Sequence, residues 1–301
     1  PIVRYDELRT QLSDRQETWH KIADGFCLLM IGLGKKMLLA NPMGELWEGL
    51  RALTGNIGIL GAWAGAAAFT LQIYFDFSGY SDMARGLGRM FGFEIPINFR
   101  YPYAAQSIQD FWRRWHITLS SWFRDYVYIP LGGSRRGAGR TIVNLFAVWV
   151  LTGLWHGAAW NYVLWGLYYF VLLTAERLIG QARLARVPRV LRHFLTMALV
   201  MIGWVLFAIE DFGALGAYLY SLFSPSGGVI STQAAVWVLS YLPLMALAAL
   251  ASLPFAADFV RRKNQSAPVR WGAPVYCLLL LAAGTAALVA QSYNPFLYFR
   301  F

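Results

Sequence analysis

Apolar residues along this chain gather in blocks and do not form stripes. Residues 57–75, 194–209, 233–251 and 274–290 each approach the length of a bilayer-spanning helix, and one further block, 141–175, is longer. None shows the strict alternation of a membrane barrel strand. Lipid offers no partner for a backbone amide, so spans must be helices or closed barrels, and the pattern predicts an all-α polytopic membrane protein.

The intervening segments differ in character. Residues 1–21 balance Arg4, Arg9, Arg15 and Lys21 against Asp6, Glu7, Asp14 and Glu17, which predicts a surface or interfacial helix with no span. Residues 22–40 are apolar except for Asp24, Lys35 and Lys36, and fit a short, tilted or re-entrant helix as well as a crossing one. The Gly- and Ala-rich stretch Ile57–Phe75 is expected to cross, its small residues letting neighbours approach closely. From Asp76 to Arg140, nine arginines stand against five acids, and this non-spanning region is expected to lie at or dip below the membrane surface.

The block 141–175 would run about 52 Å as one straight helix, well beyond a bilayer core. Arg-rich loops flank it on both sides, so two half-passes are expected, with the Trp155-His156-Gly157 turn buried near mid-membrane; a bent, strongly tilted helix is the other option. Counting Lys and Arg puts loops 176–193 and 252–273 on the cytoplasmic side and 210–232 outside.

Composition narrows the class further. With 57% hydrophobic and 14% charged residues, the chain is neither an ordinary soluble domain nor a disordered one. The net charge of +10 falls mostly between apolar blocks, which points to cytoplasmic retention of loops beside membrane lipid and away from nucleic acid. Cys27 and Cys277 form no CxxC motif and read as two buried thiols. The chain opens on Pro1, without a signal peptide, and is read as the C-terminal portion of a longer protein whose residues 1–301 form a single membrane-embedded domain.

Four histidines are present: His20, His116, His156 and His193. His20 and His193 sit beside Lys21 and Arg192 and read as surface residues. His156 lies in a run with no charged residue between Arg140 and Glu176, and an ionisable ring placed so deep in apolar sequence is a functional hypothesis by default. A neutral ring there can take a proton from a hydroxyl; packing glue between helices is the competing reading. Gly153 and Gly157 beside it would open room for a substrate chain.

His116 borders an amphipathic helix marked by Ile108, Phe111, Trp112, Trp115, Leu119, Trp122 and Tyr126, in which Asp110 and Arg114 are spaced for a surface pair. A solvated interfacial histidine is its plain alternative. The flexible run Gly132–Arg140 carries Arg135 and Arg136, which either cradle a phosphate or mark a positive-inside turn. Asp76, in Asp76-Phe77-Ser78-Gly79-Tyr80-Ser81-Asp82, either contacts a substrate or cation, or belongs to a helix cap. No G-x-S-x-G, HExxH or dinucleotide fingerprint occurs, so no metal site is expected and hydrolase or nicotinamide chemistry is disfavoured.

Two long motifs, Phe111-Trp112-Arg113-Arg114-Trp115-His116 through Tyr126 and Leu154-Trp155-His156-Gly157, resemble those of the membrane-bound O-acyltransferase family. The closer likeness is to its bacterial branch concerned with alginate O-acetylation, through Tyr74–Asp82, the Tyr128-Ile129-Pro130-Leu131-Gly132-Gly133 turn and the closing Asn294–Phe301. The resemblance implies a ring of tilted helices with re-entrant and interfacial helices around a central funnel, further N-terminal helices, and a multi-pass place in the bacterial inner membrane. It further implies no tightly bound cofactor and an acyl thioester donor, acetyl-CoA or carrier-bound acetyl. The acceptor would be an exported polysaccharide, and a periplasmic acetyltransferase would be the partner. His156 matches the family's histidine and His116 the first-motif polar residue. Asn161, Trp155, Arg135, Arg136 and Asp76 complete the candidate substrate-binding set, with His116, Asn161 or a tryptophan N–H as possible donors to the oxyanion. A transporter or lipid flippase using His156 as a proton relay is the alternative from another class, and a scaffold docking a periplasmic transferase is a third.

Overall fold

A computed structural model describes residues 1–255, Asp258, Arg262, residues 267–290 and Phe296. Its helices are α1 (Tyr5–Asp14), α2 (Trp19–Gly34), α3 (Asn41–Arg51), α4 (Ile59–Met90), α5 (Ile108–Trp112), α6 (Ile117–Phe123), α7 (Ala138–His156), α8 (Trp160–Ile179), α9 (Gln181–Leu184), α10 (Arg189–Ala208), α11 (Phe212–Phe223), α12 (Thr232–Ala251) and α13 (Ala267–Ala290). No strand occurs among the described residues. Five helical segments are long and apolar enough to cross a membrane: α7, α8, α10, α12 and Gly272–Ala290 of α13. The protein is therefore a polytopic, all-α membrane protein.

The chain packs as two compact units. One gathers residues 1–45, 71–100 and the described residues from 243 onward; the other gathers 46–70 and 101–242.

In the first unit, α2 is capped by Thr18, whose hydroxyl accepts the Lys21 amide. The helix then loosens into a π-helical turn, Lys35–Ala40. That turn carries two adjacent lysines with separate partners: Lys35 Nζ donates to Asp82 at 2.6 Å and Lys36 Nζ to Asp76 at 2.5 Å. A Cβ at Gly25 or Gly32 would lie 2.6 or 2.5 Å from the carbonyl of Gly86 or Gly79, so glycines seven apart on both helices let α2 and α4 meet backbone to backbone.

These contacts correct two expectations. The helix that begins near residue 57 does not end at Asp76; α4 runs on to Met90, 32 residues or about 48 Å. Asp76 and Asp82 lie inside it, so they cap nothing, and their charges are neutralised by lysines roughly 40 residues away in sequence. Nor is α4, which carries Gln72 and Asp76 within its apolar stretch, among the five candidate spans.

In the second unit, α7 and α8 lie against each other. A Cβ at Gly153 would sit 2.5 Å from the Tyr162 carbonyl, and Gly166 meets the backbone of Trp149 equally closely. The expected half-passes are instead two helices of 19 and 20 residues, each long enough to cross by itself. The polar ends of the block, from Ala138 to Arg140 and at Glu176 and Arg177, are helical too, and this supplies the missing length. Gly157, at φ 152°, ends α7 in a conformation open to glycine.

Segment 210–232, expected as a loop, holds α11, capped by Asp211 accepting the Ala214 amide at 2.7 Å. His20 is exposed, as expected, and faces Asp24 at 3.5 Å. His193 is not a surface residue: it is half-buried, its Nδ1 within 3.0 Å of the Ala105 carbonyl oxygen. The two cysteines are free thiols, Cys277 buried and Cys27 half-buried. Arg261, Lys263 and the closing Asn294–Phe301 motif, except Phe296, lie outside the described residues.

Candidate functional site

The second unit builds its interior from rings. Trp165, Tyr169 and Trp204 are essentially inaccessible, and Phe111 stacks on Trp115 at 5.8 Å and on Tyr169 at 6.5 Å. Aromatic side chains bury large areas on few rotatable bonds, so such a block makes a stiff wall. Against it opens a cavity of about 490 Å³. The exposed Gln109, Arg113, Arg124, Arg177 and Gln181 rim it, and Trp112, Trp115, His116, Leu119, Trp149, Thr152 and His156 line its interior.

Local structure brings the two histidines here. Ser107 caps α5 by accepting the Asp110 amide at 3.0 Å. The carboxylate of Glu176, on the last turn of α8, accepts the backbone amides of Ile108 at 2.6 Å and Gln109 at 3.0 Å. α5 is thereby fixed to α8 and stops at Trp112. His116 then takes φ 43°, ψ 54°, a left-handed conformation costing about 1–2 kcal/mol for a residue with a Cβ. The continuous amphipathic helix expected over 108–126 is thus broken, although Asp110 and Arg114 pair as expected at 2.8 Å. His116 is buried, not solvated, and burial first, then the nearness of His156, holds its imidazole well below the usual histidine range. It enters the cavity as a neutral ring.

His156 is the last residue of α7. Its ring meets Trp155 at 4.9 Å, Trp165 at 5.1 Å and Phe207 at 5.2 Å, all near perpendicular. Aromatic edges and faces orient this imidazole; among the described residues no carboxylate pairs with it. Trp155 also approaches His116, at 6.0 Å between centroids, although it does not line the cavity.

The remaining candidates lie elsewhere. Asn161 is fully buried and its Nδ2 donates to the Phe207 carbonyl at 2.9 Å, tying α8 to α10. Arg135 and Arg136 are exposed on the turn before α7 and do not line the cavity. Asp76 belongs to the first unit, buried with Lys36. Gly153 and Gly157 open no room for a substrate, since the Tyr162 backbone fills the space at one and the Tyr162 ring lies against the other.

Comparison with known proteins bears on this arrangement. The model of the membrane-bound O-acyltransferase family, MBOAT, matches residues 1–212, which include both histidine motifs. The chain belongs to this family. Its similarity to the probable alginate O-acetylase of Pseudomonas putida is 38% identity over 100% of this chain and 66% of that protein. To the peptidoglycan O-acetyltransferase of Helicobacter pylori it is 31% identical over 100% of this chain and 61% of that protein. To the teichoic acid D-alanyltransferase of Bacillus subtilis it is 32% identical over 58% of this chain and 47% of that protein. The chain therefore spans about two thirds of the length of the alginate relatives it matches.

In this MBOAT chain, several cavity residues were not singled out from sequence as site residues: Trp112, Trp149, Arg124, Glu176 and Arg177. Trp112 and Arg113 sit in the first motif beside His116, a signal that was available. Nothing local marks Glu176, whose role at α5 spans 68 residues of sequence.

Proposed function

We propose that this protein is an O-acyltransferase of the bacterial inner membrane. It moves an acyl group, acetyl by preference, from a thioester presented at the cytoplasmic side towards a hydroxyl acceptor on an exported polysaccharide. The observation that carries the reading is the meeting of His116 and His156, from motifs 40 residues apart, in one cavity with an arginine rim and an aromatic interior.

The chemistry follows from that arrangement. A hydroxyl oxygen attacks the thioester carbonyl carbon while a ring nitrogen of His156 takes the hydroxyl proton. The carbonyl π pair moves to oxygen; when it returns, the carbon–sulfur bond breaks and the thiolate leaves. The proton held by His156 passes to that thiolate, leaving an ester, a free thiol and a neutral base. The tryptophan-rich interior keeps water from competing with the hydroxyl. His116, neutral and close by, positions the hydroxyl. The exposed Arg113, Arg124 and Arg177 suit a donor carrying phosphates, either acetyl-CoA or a phosphopantetheine carrier.

Acceptors named for the relatives are alginate, peptidoglycan and teichoic acid, all outside the cytoplasmic membrane, and a periplasmic acetyltransferase completing the delivery fits that destination. The family match favours this reading over a transporter or a docking scaffold. The test is base-released acetate from surface polysaccharides of cells with and without the gene. Loss of acetate ester on deletion, restored by complementation, is expected; equal ester content would refute the function.

A further inference from the structure

His116 holds φ 43° and ψ 54°, a backbone conformation that a residue with a Cβ keeps only where its surroundings over-determine it. We infer that Glu176 supplies that hold: by fixing the start of α5, its carboxylate positions the His116 imidazole in the cavity for the transfer. The inference rests on the acyltransferase reading above and adds a positioning residue to it, one that acts through His116.

Glu176 is poorly placed for its own helix. It sits in the last turn of α8, where the carbonyl end of a helix disfavours an anion. The start of α5 is the opposite environment, because the first amides of a helix have no partner within it. There the Phe111 amide donates to the Ser107 carbonyl oxygen at 2.9 Å and the Asp110 amide to the Ser107 hydroxyl at 3.0 Å. The two that remain, Ile108 and Gln109, donate to separate oxygens of Glu176 at 2.6 and 3.0 Å, and neither has another acceptor among the described residues. Both carboxylate oxygens are thereby committed to backbone.

From this anchor to His116 the chain is short and bonded throughout. The Arg113 amide donates to the Gln109 carbonyl oxygen at 3.2 Å, and the Arg114 and Trp115 amides donate to that of Phe111 at 3.0 and 2.9 Å. On the far side the Ser120 amide donates to the His116 carbonyl oxygen at 3.0 Å. The strained residue is therefore gripped between two hydrogen-bonded turns. Removing the carboxylate frees the start of the first turn, and the strain at His116 then has a way to relax. Trp115, stacked on Phe111 and 4.6 Å from Trp204, keeps the ring packing together, so the expected result is a displaced imidazole in a folded protein. A shift of about 1 Å far from the reacting atoms is enough to slow a reaction that depends on geometry.

The experiment is a double-mutant cycle in membranes containing the protein at matched abundance, with a radiolabelled acetyl thioester and an oligosaccharide acceptor. Glu176→Ala is expected to lower kcat about 10-fold, with KM for the thioester changed less than about twofold. In a His116→Ala background, which leaves the His156 base in place, the same change is expected to lower kcat less than about twofold further, because the group it positions is gone. Glu176→Gln keeps one accepting oxygen and is expected to fall between wild type and Glu176→Ala; it carries the cycle should the alanine variant fail to accumulate. An equal loss of kcat in both backgrounds would overturn the inference by making Glu176 independent of His116. A change confined to KM would overturn it by making Glu176 a contact for the donor, and wild-type kinetics in the alanine variant would overturn it outright. A wild-type protein that moves no acetyl group would refute the parent reading, and this one with it.

Discussion

The two units treat buried polarity in opposite ways. In the first, Lys36 and Asp76 are both nearly inaccessible and joined at 2.5 Å, while Asp82 takes Lys35 at 2.6 Å and Arg85 at 3.4 Å. Charge is brought inside and cancelled on the spot. In the second, the His156 ring packs against Trp165 and Phe207 and lines the cavity, with no carboxylate paired to it among the described residues. A paired charge fixes structure, whereas a polar group left facing a cavity is available to something that enters. The contrast separates Asp76, which sequence alone nominated for substrate contact, from the histidines.

Breaking the first arrangement is expected to give the largest effect. Asp76→Ala removes the carboxylate paired with the buried Lys36 ammonium and should cost about 3–5 kcal/mol, seen as a large drop in melting temperature in detergent and in membrane abundance. Replacing both partners, Lys36→Met with Asp76→Leu, should recover much of that loss. An Asp76→Ala protein that melts like wild type yet transfers no acetyl would return Asp76 to the substrate site.

A smaller effect sharpens the second arrangement. Arg113→Gln with Arg177→Gln should raise KM for the thioester about tenfold, the value of one lost charge-assisted hydrogen bond, with kcat little changed. Arg135→Ala with Arg136→Ala should leave both constants near wild type, since neither residue lines the cavity. The reverse ranking, read from initial-rate kinetics, would place the donor at the turn before α7.

The smallest effect concerns pH. Burial lowers the proton affinity of folded His116, so the unfolded chain binds the proton more readily. Stability is therefore full above the ordinary histidine value of about 6.5 and declines as pH falls below it. His116→Gln should remove part of the fall in melting temperature between about pH 7 and pH 5. An identical acid dependence in the variant would mean that His116 is already protonated in the fold.

Sequence reading reached the spans where apolar composition alone decides them: 194–209 matches α10 to within one residue at its C-terminal end, 233–251 falls within α12, and 274–290 within α13. It singled out His156, because an isolated ionisable residue stands out against an uncharged background, and His116 through its motif, and the structure brings these two into one cavity. What it missed depends on distant partners. α4 passes through Asp76 because a lysine 40 residues earlier removes the penalty. The chain breaks before His116 without a proline or glycine to announce it, since α5 is anchored by Glu176 from another helix. Gly153 and Gly157 gave a real signal of close approach, but what approaches is α8, not a substrate.

The most direct measurement of the central claim is transfer of labelled acetyl from thioester to acceptor by wild-type and His156→Gln protein at matched membrane abundance. Loss of about 10³-fold or more in the variant, with its melting temperature unchanged, is the predicted result. Transfer by His156→Gln at the wild-type rate would contradict the account, and the cavity would then need another base.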